Sequence, residues 1–383
     1  MIAPLPPFFE QILIIRRVRQ HFYSRRYQWL PCEVAFRGED KVKITSYINN
    51  LHPRQHRPLY AALENIIARV VPMWEACLDR LEDHPEPRDD VEAEWDEPEG
   101  ERPPEEDDDQ KSEYELEDEI EDWRRENRIL NMPELNGQYS ARAESKPSGI
   151  VKLREDFEEQ GLQIIVKLAN IHLTPEKPDY DGGSWHIEGQ LNEHICASAI
   201  YYYDSENITD SFLSFRESTS ADHLSEKPYE QGDFEHLERI WGIEQDGPAV
   251  QTLGCVNTRE GRLIAFPNVL QHRVGTFSLA DYSKPGHRKI VALFLVDPYT
   301  RVPSTAHIPP QQKSWWQRML YRIDRVADLP PELAEHIVDG ADSLPISLEE
   351  AKRIREELMK ERRLFVDHVE TRFQQERFSF CEH

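Results

Sequence analysis

LQIIVKLANIHL, residues 162–173, and ICASAIYYY, residues 195–203, decide the fold. Both are rich in β-branched and aromatic side chains, the composition of strands. Outward from them the pattern repeats. Residues 212–216 read as a strand, and 252–257 and 262–266 as a hairpin with Thr258-Arg259-Glu260-Gly261 at its turn. Two further strands are expected at 269–279 and 288–296, separated by a loop over 280–287 with its Ser-Lys-Pro-Gly turn signal. Strands at this spacing, with no helix between them, predict an antiparallel sandwich or barrel of jelly-roll type.

Helical patterns flank that core, so the expected class is mainly β with flanking helices (α+β). Residues 57–81 place Leu59, Leu63, Ile66, Ile67, Val70, Trp74, Cys77 and Leu78 at helical spacing. Towards the other end, Pro330-Pro331 opens a short helix that Gly340 is expected to close. Ser347-Leu348-Glu349-Glu350 has the form of a capping box and starts a long charged helix with Ala351, Ile354, Leu358, Phe365 and Val369 on one face. The chain is therefore expected to divide into an N-terminal helical supporting region (1–81), an acidic disordered insertion (82–127), the β core (128–300) and a C-terminal helical region (301–383).

The 383 residues carry a formal net charge of −26, but the acidity is local. Residues 82–126 hold 24 Asp/Glu against 5 Lys/Arg, which leaves only −7 for everything else. A Pro-, Glu- and Asp-rich stretch of that kind cannot bury enough apolar surface to offset its ordering entropy, hence the expected disorder. A protein partner for the acidic segment is conceivable, and a solvated loop is the commoner case. No basic patch marks a nucleic-acid surface. Cys32, Cys77, Cys196, Cys255 and Cys381 are widely spaced and form no Cys-x-x-Cys pair, which argues against a disulfide framework or a zinc knuckle. The apolar patch over residues 8–15 is short, interrupted by Glu10 and Gln11, and followed by Arg16 and Arg17. Neither a membrane span nor a signal peptide is expected, and an intracellular location, cytoplasmic or nuclear, follows.

GGSWHIEG, residues 182–189, carries the chemistry. In extended chain, residues two apart face the same way, so His186 and Glu188 can converge on one cation while Trp185 and Ile187 turn into apolar packing. His194 lies too far along to return to that point. His272 is better placed, just after GRLIAFP (261–267) and its Pro-Asn turn. Two imidazoles and a carboxylate on one face leave the other open, the facial arrangement of non-haem Fe(II) oxygenases. A 2-oxoglutarate cosubstrate further requires a fixed cation for its distal carboxylate. Arg suits that task because its planar fork binds carboxylates bidentately. Arg288 opens the next strand, with Lys289 as competitor. Ala292, on the side of Arg288, leaves room there and favours Arg288. Each element has an ordinary reading: His-x-Glu recurs by chance, a single His is usually structural, and Arg288 can pair with an acid such as Asp281. It is the combination that points to a site.

At these residues the chain resembles the 2-oxoglutarate- and Fe(II)-dependent oxygenase superfamily, whose fold is a double-stranded β-helix (jelly-roll, cupin-like). More closely, KVKITSYINNLHP (41–53), GGSWHIEGQLNEHICASAIYYYDSENIT (182–209), FPNVLQHRV (266–274), KPGHRKIVALFLVDP (284–298) and the terminal ERRLFVDHVETRFQQERFSFCEH resemble a fungal family of unknown function, number 4246. Members of that family generally extend further at the amino terminus. The resemblance implies a dioxygenase, a hydroxylase or demethylase, with metal ligands His186, Glu188 and His272 and with Arg288 binding 2-oxoglutarate. Dioxygen and an organic or protein substrate would be its other reactants. JmjC-type members place a 2-oxoglutarate-binding Lys soon after His-x-Asp/Glu; here that region reads Tyr201-Tyr202-Tyr203-Asp204, which returns the role to Arg288. One of Tyr201 or Tyr203 is a candidate to hydrogen-bond cosubstrate or substrate. A zinc-type metallohydrolase using the same three ligands and a catalytically silent jelly-roll scaffold are the alternatives.

Overall fold

The computed structural model describes residues 23–79, 94–96, 113–132, 151–218, 234–242, 244–320, 323, 328–339, 345–375, 377 and 379. In chain order the first elements are β1 (Cys32–Arg37), β2 (Lys41–Ile44), α1 (Arg57–Asp79), β3 (Glu94–Asp96), α2 (Glu113–Asn127) and β4 (Ile129–Asn131). The central ones are α3 (Leu153–Asp156), β5 (Leu162–Leu173), β6 (Asp179–Tyr180), β7 (Ile195–Glu206), β8 (Phe212–Ser218) and α4 (Glu235–Trp241). Then follow β9 (Val250–Asn257), β10 (Leu263–Pro267), β11 (Gln271–Val274), β12 (Phe277–Ser278) and β13 (Gly286–Val296). Three helices end the chain: α5 (Lys313–Leu320), α6 (Pro331–Asp339) and α7 (Leu348–Gln375). The fold is mainly β with flanking helices, and the pairings between named strands are antiparallel.

Two compact units divide the chain. The first comprises Met1–Asp83, Ser148–Glu217 and Thr252–Gln375; the second comprises His84–Pro147, Ser218–Gln251 and Glu376–His383. Within the first, a six-stranded sheet runs in the order β10-β7-β13-β5-β1-β2, and a three-stranded sheet in the order β11-β8-β9. Among the described residues these sheets do not close into one barrel.

Strand β13 explains the layering. Its GHRKIVALFLV reads as a nearly unbroken apolar run because it lies between β7 and β5 with both faces covered. Val291, Leu293 and Leu295 face α1 and pack with Leu63, Ile67, Val70 and Trp74. Ala292, Phe294 and Val296 face the smaller sheet and pack with Leu213, Phe215 and Phe266. Helix α1 thus lies on one face of the large sheet, and the chemistry-bearing strands lie on the other. Fully burying side chains of this size contributes about 1.5–3 kcal/mol each, which makes the α1 face a main source of stability.

Several expectations need correction. Residues 252–257 and 262–266 are not a hairpin: β9 belongs to the small sheet and β10 pairs with β7 in the large one. The connection is tied at both ends to different strands. The Thr258 amide and hydroxyl both donate to the Ser211 carbonyl, and the Gly261 amide, at φ 79°, donates to the Tyr202 carbonyl. The strand expected at 269–279 is two strands, β11 on β8 and β12 on β6. Inside the expected disordered insertion, residues 113–127 form α2, with Arg124 and Arg125 in the last turn where cations favour the helix dipole. Helix α2 and β3, paired with β4, belong to the second unit, where the Arg128 guanidinium lies 3.8 Å from the Trp95 ring centroid. The remainder of 82–127 lies outside the described residues, as does Gly340. No helix among the described residues is long and apolar enough to cross a membrane.

Candidate metal centre

His186 and His272 are cross-strand partners. The His186 amide donates to the His272 carbonyl (3.2 Å) and the His272 amide to the His186 carbonyl (3.0 Å), although they form only an isolated bridge. The diglycine upstream permits this. Gly182 adopts φ 88°, and a Cβ there would come within 3.1 Å of the Val274 carbonyl oxygen; the Gly183 amide donates to that same oxygen. Residues 182–186 therefore lie flush along β11, and the imidazole centroids are 4.3 Å apart.

Glu188 follows two residues on and faces the same way. Its Oε1 lies 3.7 Å from His186 Nε2 and 3.6 Å from His272 Nε2. The three residues offer ligand atoms that all lie within 4.8 Å of one another, a group that can hold a metal ion. The donor set suits one. His186 Nδ1–H donates to the Ser184 carbonyl (2.8 Å), which fixes the tautomer with its Nε2 lone pair turned to Glu188. The site is walled on one side, with His272 2% and Glu188 8% exposed against 28% for the His186 side chain. Phe266 and Phe215 pack against His272, at centroid distances of 4.9 and 6.4 Å.

The electrostatics fit cation binding. Burial pushes the Glu188 carboxyl up, but Lys167 and the two imidazoles outweigh it and hold it well below its usual range. Burial pushes His272 below its ordinary value despite the nearby carboxylate, while for His186 the attraction of Glu188 outweighs burial and raises it. At neutral pH the group is thus a carboxylate beside a neutral His272, the protonation a metal ligand needs.

Asn268, noted in the sequence only as part of a turn, is what fixes Glu188. Its Oδ1 accepts from the Glu188 amide (2.9 Å), and its Nδ2 donates to the carbonyls of Glu188 (2.9 Å) and Ile195 (3.0 Å). Behind this segment, Ile187 and Leu191 pack on Phe365 and Val369 of α7. Trp185 instead lies against two cations, Arg216 (4.5 Å) and Arg273 (4.7 Å). Glu193, fully buried, accepts from the Trp29 and Gln190 amides and pairs with Arg362 of α7. His194 closes the short 3-10 turn over Leu191–Glu193 in a left-handed conformation and is not one of the three residues of the group.

Arg288 is 3% exposed and Lys289 is not its equivalent. Lys289 faces outward and pairs with Asp204 (2.6 Å). Arg288 faces the interior, where its Nη1 donates to the hydroxyls of Ser211 (2.6 Å) and Thr258 (3.4 Å). Its guanidinium lies 4.8 Å from the Phe277 ring and 5.6 Å from that of Tyr202. No carboxylate among the described residues pairs with it; Asp281 is taken by Lys284 and Ser283. Burial pushes the Arg288 guanidinium below its ordinary pKa, and its Nε–H has no partner. The tyrosine beside it is Tyr202, 1% exposed, whereas Tyr201 packs on the α1 side and Tyr203 is 38% exposed. Of the three adjacent tyrosines, strand parity thus places the middle one beside Arg288.

Among known families, residues 7–319 match one described as "Protein of unknown function (DUF4246)". Comparison with curated proteins finds no match. Comparison with solved structures finds partial similarities at low identity. Hydroquinone 1,2-dioxygenase PnpCD, in complex with Cd2+ and 4-hydroxybenzonitrile, is 12% identical over 39% of this chain, with a TM-score of 0.17. The match covers 66% of that protein, just under two thirds. PirA is 4% identical over 33% of this chain and 92% of its own, with a TM-score of 0.14. These scores are too low to establish a shared overall fold.

Proposed function

The chain belongs to the DUF4246 family of proteins of unknown function, and we propose that it is an Fe(II)- and 2-oxoglutarate-dependent dioxygenase that oxidises a C–H bond of an organic or protein substrate. The strand order supports a double-stranded β-helix core. Along the chain, β7 lies in the large sheet, β8 and β9 in the small, β10 in the large, β11 in the small and β13 in the large again. The His186–His272 bridge adds the segment that carries His186 and Glu188 beside β11. This winding between two sheets brings His-x-Glu and the distant His together.

The observation that carries the reading is Arg288. A buried guanidinium with no acid costs several kcal/mol unless an anion completes it. Its place on the same face as the Phe215–Phe266–Tyr202 cluster that backs His272 makes the distal carboxylate of 2-oxoglutarate a fitting complement. His186, Glu188 and His272 would hold Fe(II), which when bound supplies the redox chemistry that couples 2-oxoglutarate decarboxylation to substrate oxidation. The chain's own contribution is positional. Ser211 and Thr258 hydroxyls orient the Arg288 fork, Asn268 sets the Glu188 backbone, and Phe215 and Phe266 keep water from His272.

An anaerobic titration with Fe(II) and 2-oxoglutarate tests this. The expected result is a visible charge-transfer band that His272→Ala abolishes, with succinate released on admission of air. Folded, iron-loaded protein that shows neither band nor succinate would sink the assignment; tight zinc retention in its place would favour the hydrolase.

A further inference from the structure

Lys167 has no role in the reading above beyond the effect of its charge on Glu188. It follows Ile165 by two residues on β5 and so shares its face, the one that packs into the core between the two sheets. Its neighbour on β13 is Ala292, whose small side chain leaves space on that face. The Lys167 side chain is exposed, its ammonium is 5.6 Å from the Trp29 ring centroid, and it makes no ion pair among the described residues. Arg362 also lies over Trp29, at 3.7 Å, but is paired with Glu193. Lys167 is thus the cation at that ring without an ion-pair partner among the described residues, and its charge favours the Glu188 carboxylate.

Arg288 sits on the same face, opposite Ile171 and four residues along β5 from Lys167, roughly 13 Å at strand rise. One small dicarboxylate does not span both cations while its other end lies at the metal. The charges separate the two further. A divalent ion, Glu188, Arg288 and the two carboxylates of 2-oxoglutarate sum to zero, so Lys167 carries the charge left over. A lone cation at the solvent-reachable side of an otherwise neutral site selects an anionic partner.

We propose that Lys167, backed by Trp29, is the subsite for an anionic group, a carboxylate or a phosphate, on the primary substrate; this rests on the dioxygenase reading. The test uses the full chain loaded with Co(II) and saturated with 2-oxoglutarate, so that Arg288 is occupied. Sodium acetate and inorganic phosphate are titrated separately and followed by the visible Co(II) bands. Both are expected to perturb the spectrum, and the tighter one identifies the group. At saturating Co(II) and 2-oxoglutarate, Lys167→Gln should weaken the binding about tenfold or more, whereas Lys167→Arg, which keeps the charge, should retain most of it and bind Co(II) and 2-oxoglutarate as the parent does. Three results overturn the subsite: parent protein that binds neither anion, a Lys167→Gln variant that binds them unchanged, or one that instead loses 2-oxoglutarate affinity. Parent protein that binds Co(II) but not 2-oxoglutarate removes the dioxygenase reading itself, and the subsite with it.

Discussion

On the dioxygenase reading, replacing Arg288 by Met is expected to give opposite results with and without 2-oxoglutarate, for reasons that lie in its surroundings. In the free protein the guanidinium is 3% exposed, its Nε–H is unpartnered, and it has hydroxyls and aromatic faces but no carboxylate around it. Removing one member of a buried ion pair destabilises by about 3–5 kcal/mol, because a charge is left behind. Here none is left behind, since Arg288 is itself the uncompensated charge. The loss of hydrogen bonds to Ser211 and Thr258, about 1 kcal/mol each, is offset by the end of the desolvation penalty. Arg288→Met is therefore expected to leave unfolding free energy within about 1 kcal/mol of the parent, or to raise it. With cosubstrate the sign reverses. Losing a buried charged hydrogen-bonding partner costs about 2–5 kcal/mol of binding, a rise in the 2-oxoglutarate Kd of roughly 30- to several thousand-fold. Denaturant unfolding of the metal-loaded protein, with and without 2-oxoglutarate, reads both numbers. The parent should gain about 2.7 kcal/mol when 2-oxoglutarate is at a hundred times its Kd, and at that concentration the variant should gain between almost nothing and about 0.9 kcal/mol. A loss of 3–5 kcal/mol in the free variant, or an unchanged ligand-induced gain, refutes the reasoning: Arg288 would then be a structural residue with a partner of its own.

Other outcomes follow from particular contacts. Asn268→Ala removes the hydrogen bonds that hold the Glu188 backbone; metal affinity, measured with a chromophoric chelator, should fall roughly 10–100-fold while the circular dichroism spectrum is retained. Trp74, fully buried between α1 and the large sheet, should cost about 3–5 kcal/mol when replaced by Ala, read from denaturant midpoints. Arg362→Ala leaves the fully buried Glu193 without its cation; an unfolding cost of about 3–5 kcal/mol is expected, and the double replacement Arg362→Met with Glu193→Gln should recover most of it. Metal binding should weaken as pH falls below neutrality. Protons compete for imidazole lone pairs, and His186, raised by Glu188, takes up its proton first, whereas Glu188, held low, stays ionised. An affinity flat down to the ordinary carboxylate range would contradict that order.

The convergence of His186 and Glu188 was legible in the sequence for a local reason. His186 and Glu188 are two residues apart in extended chain, and the alternation of strand side chains suffices to aim them together. His272 and Arg288 needed one more step, the expectation that strands later in the chain return beside the first. The structure supplies that return through β11 and β13, leaving Arg288 inside and Lys289 on Asp204. What sequence missed is set by pairing at a distance. The Thr258–Gly261 connection looks like a hairpin turn because turn residues report local bending, not which sheet each end joins; only the bonds to Ser211 and Tyr202 reveal the change of sheet.

Asn268 and Lys167 were hidden for related reasons. Asn is a common turn residue, and nothing local distinguishes one that caps a loop from one that clamps Glu188 eighty residues away. Lys167 interrupts an apolar strand and reads as an edge or surface charge until its register against Ala292 fixes the face it occupies. The same logic extends to α7, which lies beyond the matched family residues 7–319 yet packs Phe365 and Val369 on Ile187 and supplies Arg362 to Glu193. The segment carrying His186 and Glu188 is braced from behind by this helix. Metal affinity and α7 docking are therefore expected to be coupled, and Phe365→Ala should weaken metal binding as well as the fold. Loading saturating metal would then recover part of the lost stability, because metal that binds only the docked form stabilises it by mass action. Equal destabilisation with and without metal would show that α7 covers the strand without positioning its ligands.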